Sequence, residues 1–163
     1  MNTLELQQLL KSNPVTKHHV DRVCALDQLP EKIQHRPKLY IVNSQESGRP
    51  GKHWLALYFP KWGPAEFFDS LGHGPRYYHR RLERFLKKRG GYYIRNRRRY
   101  QQAGTRTCGA FCYYYVHQRC EGRPMKEILR DFDEKNLNNN ETLVTEFMVY
   151  QDLMNEMDSL TLN

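Results

Sequence analysis

No apolar run in this sequence approaches the roughly 20 residues that a membrane span requires. The opening MNTLELQQLLKS alternates leucine with polar residues and lacks the basic flank and apolar block of a signal peptide. An intracellular protein with reduced thiols, without membrane contact, is therefore expected. Cysteine is scarce, with 4 copies in 163 residues, and no Cys-x-x-Cys pair occurs. That counts against a disulfide framework and against a thioredoxin-type redox motif. Internal repeats and low-complexity linkers are absent too. The length fits a single domain, residues 1–163, with a core of its own. Apolar content is modest at 39%, yet the 11 tyrosines suit a packed domain better than a disordered chain.

Acidic residues are what the middle of the chain lacks. Residues 76–106 hold 12 Lys/Arg against one acid, Glu83, a net +11. The remainder carries 14 basic and 17 acidic residues, and from residue 131 onward 8 acids face one lysine. A basic block within a folded domain is a candidate polyanion surface; the alternative is a solvated helix face and loop. Lys87, Lys88, Arg95, Arg97, Arg98 and Arg99 are its candidate DNA-binding residues.

Periodicity predicts both helices and strands. Residues 3–11 read as a short helix that ends before Asn13-Pro14. LYIVN (39–43) reads as a strand and SQESGRPG as a loop. KHWLALYFP is apolar on both faces, which marks a central strand. Trp62-Gly63-Pro64 turns the chain into AEFFDSLG, the partner strand of a hairpin. Residues 75–89 show Tyr78, Leu82, Phe85 and Leu86 at helical spacing, with Pro75 at the start and Gly90-Gly91 at the stop. YYIRNRRRYQ reads as a strand with Tyr93, Arg95, Arg97 and Arg99 along a basic side. Residues 108–120, 124–132 and 141–157 read as helices, the last with Leu143, Phe147, Tyr150 and Met154 as a packing stripe. The sum is α+β, a small mixed sheet flanked by helices.

Three of the cysteines fall in TRTCGAFCYYYVHQRC. Cys108, Cys112, His117 and Cys120 have ligand-type chemistry but not the knuckle spacing of a closed zinc site. On a helix His117 lies about 180° around from Cys108 at 100° per residue, so the four cannot converge and no metal site is expected. A single nucleophile asks for less. Cys108 stands where a polar loop meets a helix, and the dipole and free N–H groups of a helix N-terminus favour thiolate. Gly109 beside it would let substrate approach the backbone, and Cys112 and Cys120 become packing residues. A base must accompany the thiol. His18, His19, His35, His73, His79 and His117 sit in polar or loop surroundings and read as surface residues. His53 opens the apolar central strand, and Asp69 ends the partner strand. A hairpin turning at residues 61–64 brings the two side by side, so a carboxylate is placed to hold the imidazole. Gln101 and Gln102, seven and six residues before Cys108, offer a side-chain amide as an oxyanion donor.

His-Trp on a strand (KHWLALYF), an acid in EFFDSLG and a glutamine ahead of Cys-Gly in YQQAGTRTCGAFC occur here in that order. This set resembles the adenovirus endoprotease (adenain) family, including the relatives encoded by Maverick/Polinton elements and adenovirus-like viruses. The resemblance covers residues 23–120, and the order His, acid, Gln, Cys is shared with the ubiquitin-like-specific (SUMO) proteases. It implies the adenain/ubiquitin-like-protease fold, with the nucleophile at the N-terminus of a central helix. It implies Cys108 as nucleophile, His53 as base and acid, Asp69 as orienting group and Gln101 as oxyanion donor, with Gln102 the alternative at the SUMO-protease spacing. Trp54 would then wall the substrate groove together with Gly109. The resemblance further implies cleavage at Gly-Gly or Gly-x sites in viral or element-encoded precursor proteins, by a monomer located in the virion and host nucleus. No cofactor is needed for the chemistry; DNA and a peptide are the candidate activators. The sequence departs from the pattern in having no cysteine between Cys24 and Cys108 to anchor an activating peptide by a disulfide. A SUMO or ubiquitin-like deconjugating protease, and a basic nucleic-acid-binding module without catalysis, are the competing readings.

Overall fold

The computed structural model of this chain describes residues 1–50, 52–88 and 91–162. Five strands form one mixed sheet in chain order: β1 (Val20–Ala25), β2 (Lys38–Asn43), β3 (Trp54–Phe59), β4 (Ala65–Phe68) and β5 (Tyr93–Arg95). β2, β3 and β4 make an antiparallel meander, and β1 and β5 pair parallel to its two edges. β3 is the middle strand and all six of its residues are buried. This agrees with its apolar character on both faces, because a strand covered on both sides has no solvent face to keep polar.

Each face of β3 feeds a different core. Trp54, Ala56 and Tyr58 face a cluster built with α1 (Thr3–Ser12) and α4 (Cys108–Cys120). Leu55, Leu57 and Phe59 face a cluster with Leu82, Phe85 and Leu86 of α3 (Arg80–Lys87). Helices therefore flank the sheet on both sides, an α+β arrangement. α1 starts where Asn2 and Glu5 close a capping box: Asn2 Oδ1 accepts from the Glu5 N–H (3.0 Å) and Glu5 Oε2 from the Asn2 N–H (2.9 Å). The one acid of β4, Glu66, is buried but accepts from the Arg119 guanidinium at 2.8 and 2.9 Å and from the Tyr115 hydroxyl. A buried carboxylate persists when it is paired in this way.

Several elements differ from the sequence pattern. β1 was not foreseen, since VDRVCA mixes charge with apolar residues. It is an edge strand with its first three residues half or fully exposed. The helix expected over 75–89 is broken in two, α2 (Pro75–Tyr78) and α3, by His79 in extended conformation (φ −166°, ψ 142°). His79 caps the second piece by accepting the Arg81 N–H at 3.0 Å. The Gly90 of the expected Gly-Gly stop lies outside the described residues, as does Arg89 of the basic block. The strand expected over 92–101 is only three residues long, so no continuous basic strand face exists. The helix expected over 124–132 is α5 (Met125–Ile128) followed by a 3-10 turn, Leu129–Asp131. α6 (Leu137–Thr161) extends past the expected 141–157 at both ends. Leu143 and Phe147 pack on the core, but Tyr150 and Met154 are 58% and 37% exposed, so the stripe is core only in its first half.

His117 also departs from its surface reading. It is buried between the rings of Tyr113 and Phe147. Its neighbours in sequence, Gln118 and Arg119, suggested polarity. In the fold every residue of α4 from Cys108 to His117 is buried, because the helix is enclosed by the sheet, α1 and α6.

Candidate active site

The β3–β4 hairpin pairs Ala56 with Phe68 and Tyr58 with Glu66. His53 immediately precedes β3 and Asp69 immediately follows β4, so the hairpin's open end carries both. His53 Nε2 lies 2.6 Å from Asp69 Oδ1, and both side chains are buried. With Nε2 committed to the carboxylate, Nδ1 is the ring nitrogen left for the Cys108 thiol, which is close enough to raise the imidazole pKa. Cys108 is the first residue of α4, which packs against β3. His53 and Cys108 line a cleft of about 1070 Å³ together with Trp54, Tyr78, Gln101 and Gln102, and Asp69 is buried behind the imidazole.

Asp69 is fully buried, and its two oxygens accept from four donors. Oδ1 receives His53 and the Leu71 N–H (2.9 Å). Oδ2 receives the His73 N–H (3.0 Å) and the Tyr78 hydroxyl (2.6 Å). Burial raises its pKa, but the His53 hydrogen bond and charge, with the Tyr78 and Leu71 donors, hold it below the usual carboxylate value. Asn96 locks the backbone of the same residue, accepting from the Asp69 N–H (2.9 Å) and donating to its carbonyl (2.6 Å). The clamp works because the chain after β5 passes very close to the chain after β4. A Cβ at Gly72 (φ +81°) would lie 2.8 Å from the Arg98 carbonyl, so only glycine fits there. Tyr78 also stacks on the His53 ring, centroids 5.7 Å apart at 21°.

The four thiols separate sharply in acidity. Burial pushes Cys24 to about 11, Cys120 to about 12 and Cys112 well above the ordinary thiol value. Burial acts on Cys108 in the same direction. It is outweighed there by the His53 hydrogen bond, the Trp54 and Gly109 backbone N–H groups and the His53 charge, and the pKa falls below 9.0. Burial works against the His53 imidazolium as well, yet hydrogen bonds to Asp69 and Cys108 and their charges raise it to about 9. The thiolate–imidazolium pair is thus the stable form between the depressed pKa of Cys108 and about 9. Any reaction at Cys108 that needs both charges should rise with pH through the first ionisation and fall as pH passes about 9. Iodoacetamide alkylation, which needs only thiolate, should keep its rate above pH 9. Parallel alkaline losses in the two profiles would remove the imidazolium from the reaction.

The loop ahead of Cys108 holds both glutamines on the cleft. Gln101 is 3% exposed; its Oε1 accepts from the Ser70 hydroxyl (2.6 Å) and its Nε2 donates to the Thr105 carbonyl (3.0 Å) and hydroxyl (3.1 Å). Gln102 is less buried, and its backbone N–H donates to Glu141 Oε1 at 2.9 Å. Trp54 is buried and on the cleft wall at once, with its indole N–H donating to the Met1 carbonyl at 3.2 Å. Gly109, expected to open the groove to substrate, is buried and does not line the cleft. A Cβ there would touch Met1 Sδ and Trp54 Cδ1, both at 3.4 Å, so this chain's own residues cover the face expected to admit substrate.

The basic residues belong to two separate segments away from this lining. Lys87 pairs with Glu83 (2.9 Å), and Lys88 donates to the Glu31 carbonyl (2.7 Å). Arg95 is half-buried and turned onto the Asn96 carbonyl (3.1 Å), and Arg99 donates to the Gln101 carbonyl (2.8 Å). Arg97 and Arg98 are exposed, the latter 3.6 Å from Glu134. Sequence reasoning missed Tyr78, Ser70, Asn96 and Glu141. Tyr78 was read as a packing position of one long helix, and the others are polar loop or helix residues with no pattern to single them out.

No protein-family model and no curated protein matches the sequence. Among solved structures, the chain is similar to the selenomethionine form of the ASFV pS273R protease, at 22% identity and a TM-score of 0.42. The match covers 63% of this chain and 42% of that chain, less than half of its length.

Proposed function

We propose that this chain is a cysteine endopeptidase of the adenain type, cleaving viral or element-encoded precursor proteins at Gly-Gly or Gly-x sites. The observation that carries the reading is the buried His53–Asp69 hydrogen bond of 2.6 Å, with Cys108 at the start of α4 on the same cleft as His53. A structural histidine needs a partner, but it does not need a thiol beside it at a helix start on the same cleft. Of the four cysteines only this one has a pKa pulled below the ordinary thiol value.

In the proposed reaction the Cys108 thiolate attacks the scissile carbonyl carbon, and the carbonyl oxygen becomes an oxyanion. The Cys108 backbone N–H and the Gln101 amide are its donors, Gln102 being the alternative; losing such a donor costs roughly 10²–10³ in rate. The His53 imidazolium gives its proton to the departing amine as the C–N bond breaks, leaving a thioester. His53, now neutral, takes a proton from water, which attacks the thioester and releases the acid and the thiolate. Asp69 keeps its proton off throughout and holds the ring in one orientation. Glycine at the cleavage site fits a cleft whose wall beside Cys108 is closed by Trp54 and Met1.

The test is a Gly-Gly peptide library set against a ubiquitin-like vinyl-sulfone probe. Cleavage of short Gly-Gly peptides with little labelling by the probe is expected; the reverse would make the chain a deconjugating protease. Adding duplex DNA is expected to raise cleavage through Arg97, Arg98 and the exposed α3 cations, with an effect that falls steeply as salt rises. A salt-independent rate would leave the basic block as a solvated face.

A further inference from the structure

Glu141, near the start of α6, reaches the loop that carries the oxyanion glutamine. Its Oε1 accepts from the Gln102 backbone N–H (2.9 Å) and from the Thr105 hydroxyl (3.0 Å). Its Oε2 is buried and has no hydrogen-bond partner among the described residues. The preceding residue, Asn140, is 1% exposed and donates to the Tyr100 carbonyl at 3.1 Å. Two consecutive residues of α6 thus hold the 100–105 segment from one side. The exit of β4 holds it from the other, where the Tyr100 and Gln101 N–H groups donate to the Ser70 carbonyl at 2.8 and 3.1 Å.

This frame dictates the orientation of the Gln101 amide. The Ser70 hydroxyl fixes its oxygen, so its NH2 turns toward Thr105. The Thr105 hydroxyl has a single hydrogen and three acceptors in reach: Glu141 Oε1 (3.0 Å), the Gln102 carbonyl (3.0 Å) and the Thr107 hydroxyl (3.1 Å). A carboxylate accepts more strongly than either neutral oxygen. The hydrogen therefore goes to Glu141, and the hydroxyl lone pairs face the Gln101 NH2. The chain runs one way, from Gln101 N–H to Thr105 O–H to the Glu141 carboxylate, and such chains strengthen each member. A partly buried carboxylate with one oxygen spent entirely on this loop and the other unpaired is costly as a fold device alone.

We propose that Glu141 is a positioning residue for the reaction, acting through Thr105 and the Gln102 N–H to hold the Gln101 amide where the oxyanion forms beside Cys108. The inference rests on the cysteine protease reading above. Two reagents separate them. Iodoacetamide alkylation of Cys108 reads the thiolate and needs no oxyanion donor. A Gly-Gly peptide aldehyde forms a hemithioacetal: sulfur adds to the carbonyl carbon, the C=O π bond breaks, and the former carbonyl oxygen, taking up the proton, sits at the oxyanion position. Glu141→Ala is expected to weaken aldehyde inhibition about 10-fold or more and to lower kcat by a similar factor, within the roughly 10²–10³ ceiling of losing the donor itself. KM and the alkylation rate should stay within about twofold, and Glu141→Gln, which keeps a carbonyl acceptor, should recover part of the loss. In a Gln101→Ala background, Glu141→Ala should add little, as expected of residues acting as one unit. Thr105→Val, which removes only the hydroxyl, should give the same aldehyde defect if Glu141→Ala folds poorly. Unchanged aldehyde affinity in folded variants, full additivity with Gln101→Ala, or an equal drop in alkylation would overturn the proposal. A wild-type protein that neither alkylates selectively at Cys108 nor cleaves peptide would instead sink the protease reading, and this inference with it.

Discussion

Replacing Cys108 with alanine is expected to lower Gly-Gly peptide cleavage by about 10⁴-fold or more, the loss that follows removal of a covalent nucleophile. The fold should survive, because Cys108 is at the edge of the core and alanine keeps the helix start. Cys120→Ser is the matched control. That thiol is only partly buried, belongs to the last turn of the same helix and is pushed up to about 12, so the change should leave activity near wild type. Mass spectrometry after brief iodoacetamide treatment should find one adduct, at Cys108. Labelling spread over Cys24, Cys112 and Cys120, or residual cleavage by Cys108→Ala above about 1% of wild type, would contradict a single-thiol mechanism.

Asp69→Asn is expected to reduce kcat about 10³–10⁴-fold, as when the orienting carboxylate of a catalytic triad becomes an amide. The cause is local. The amide NH2 would point a donor at the His53 Nε2–H or at the Tyr78 hydroxyl, both of which now donate to the carboxylate. Loss of the Asp69 charge also removes a cause of the raised His53 pKa, so the alkaline limb should move down from about 9. Asp69→Ala goes further, leaving four donors without their acceptor. Removing one member of a buried charged pair costs about 3–5 kcal/mol, which for a chain of this size lowers Tm by roughly 10 °C. The same linkage gives acid sensitivity with a definite sign. The folded Asp69 pKa is below the ordinary carboxyl value of 3.8, so its stabilisation is present above that value and is lost as pH falls through the folded pKa. A Tm for Asp69→Ala within a degree or two of wild type at pH 7 would deny the carboxylate this structural share.

The parts of this molecule that were legible in the sequence share one trait: their signal is local. The apolar two-faced strand at 54–59, the hairpin turn and the Cys-Gly helix start each write their pattern into a few consecutive residues, and a hairpin alone suffices to set His53 beside Asp69. The packing half of α6 was legible for the same reason, through Leu143 and Phe147. The illegible parts depend on chain segments that meet only in three dimensions. Asn96 sits in an arginine-rich run that alternates like a strand. Nothing in that run announces that its side chain will close on the Asp69 backbone through the Gly72 crossing. His79 breaks a helix whose apolar spacing is unbroken, and that break is visible only as a cap on α3. Gly109 looked open because sequence adjacency hides what Met1 and β3 bring over it.

Met1 lies against Trp54 and Gly109 with its carbonyl on the indole N–H, at the rim of the cleft that holds Cys108. For anyone preparing the protein this settles the choice of affinity handle. Residues fused ahead of Met1 begin their path on the wall of the cleft, tethered where their local concentration at the thiol reaches the millimolar range. Under the proposed protease function such a leader competes with added peptide, and a glycine-rich linker within it becomes a substrate for Cys108. A handle placed after α6 leaves from the end of a long exposed helix and keeps assay and purification apart.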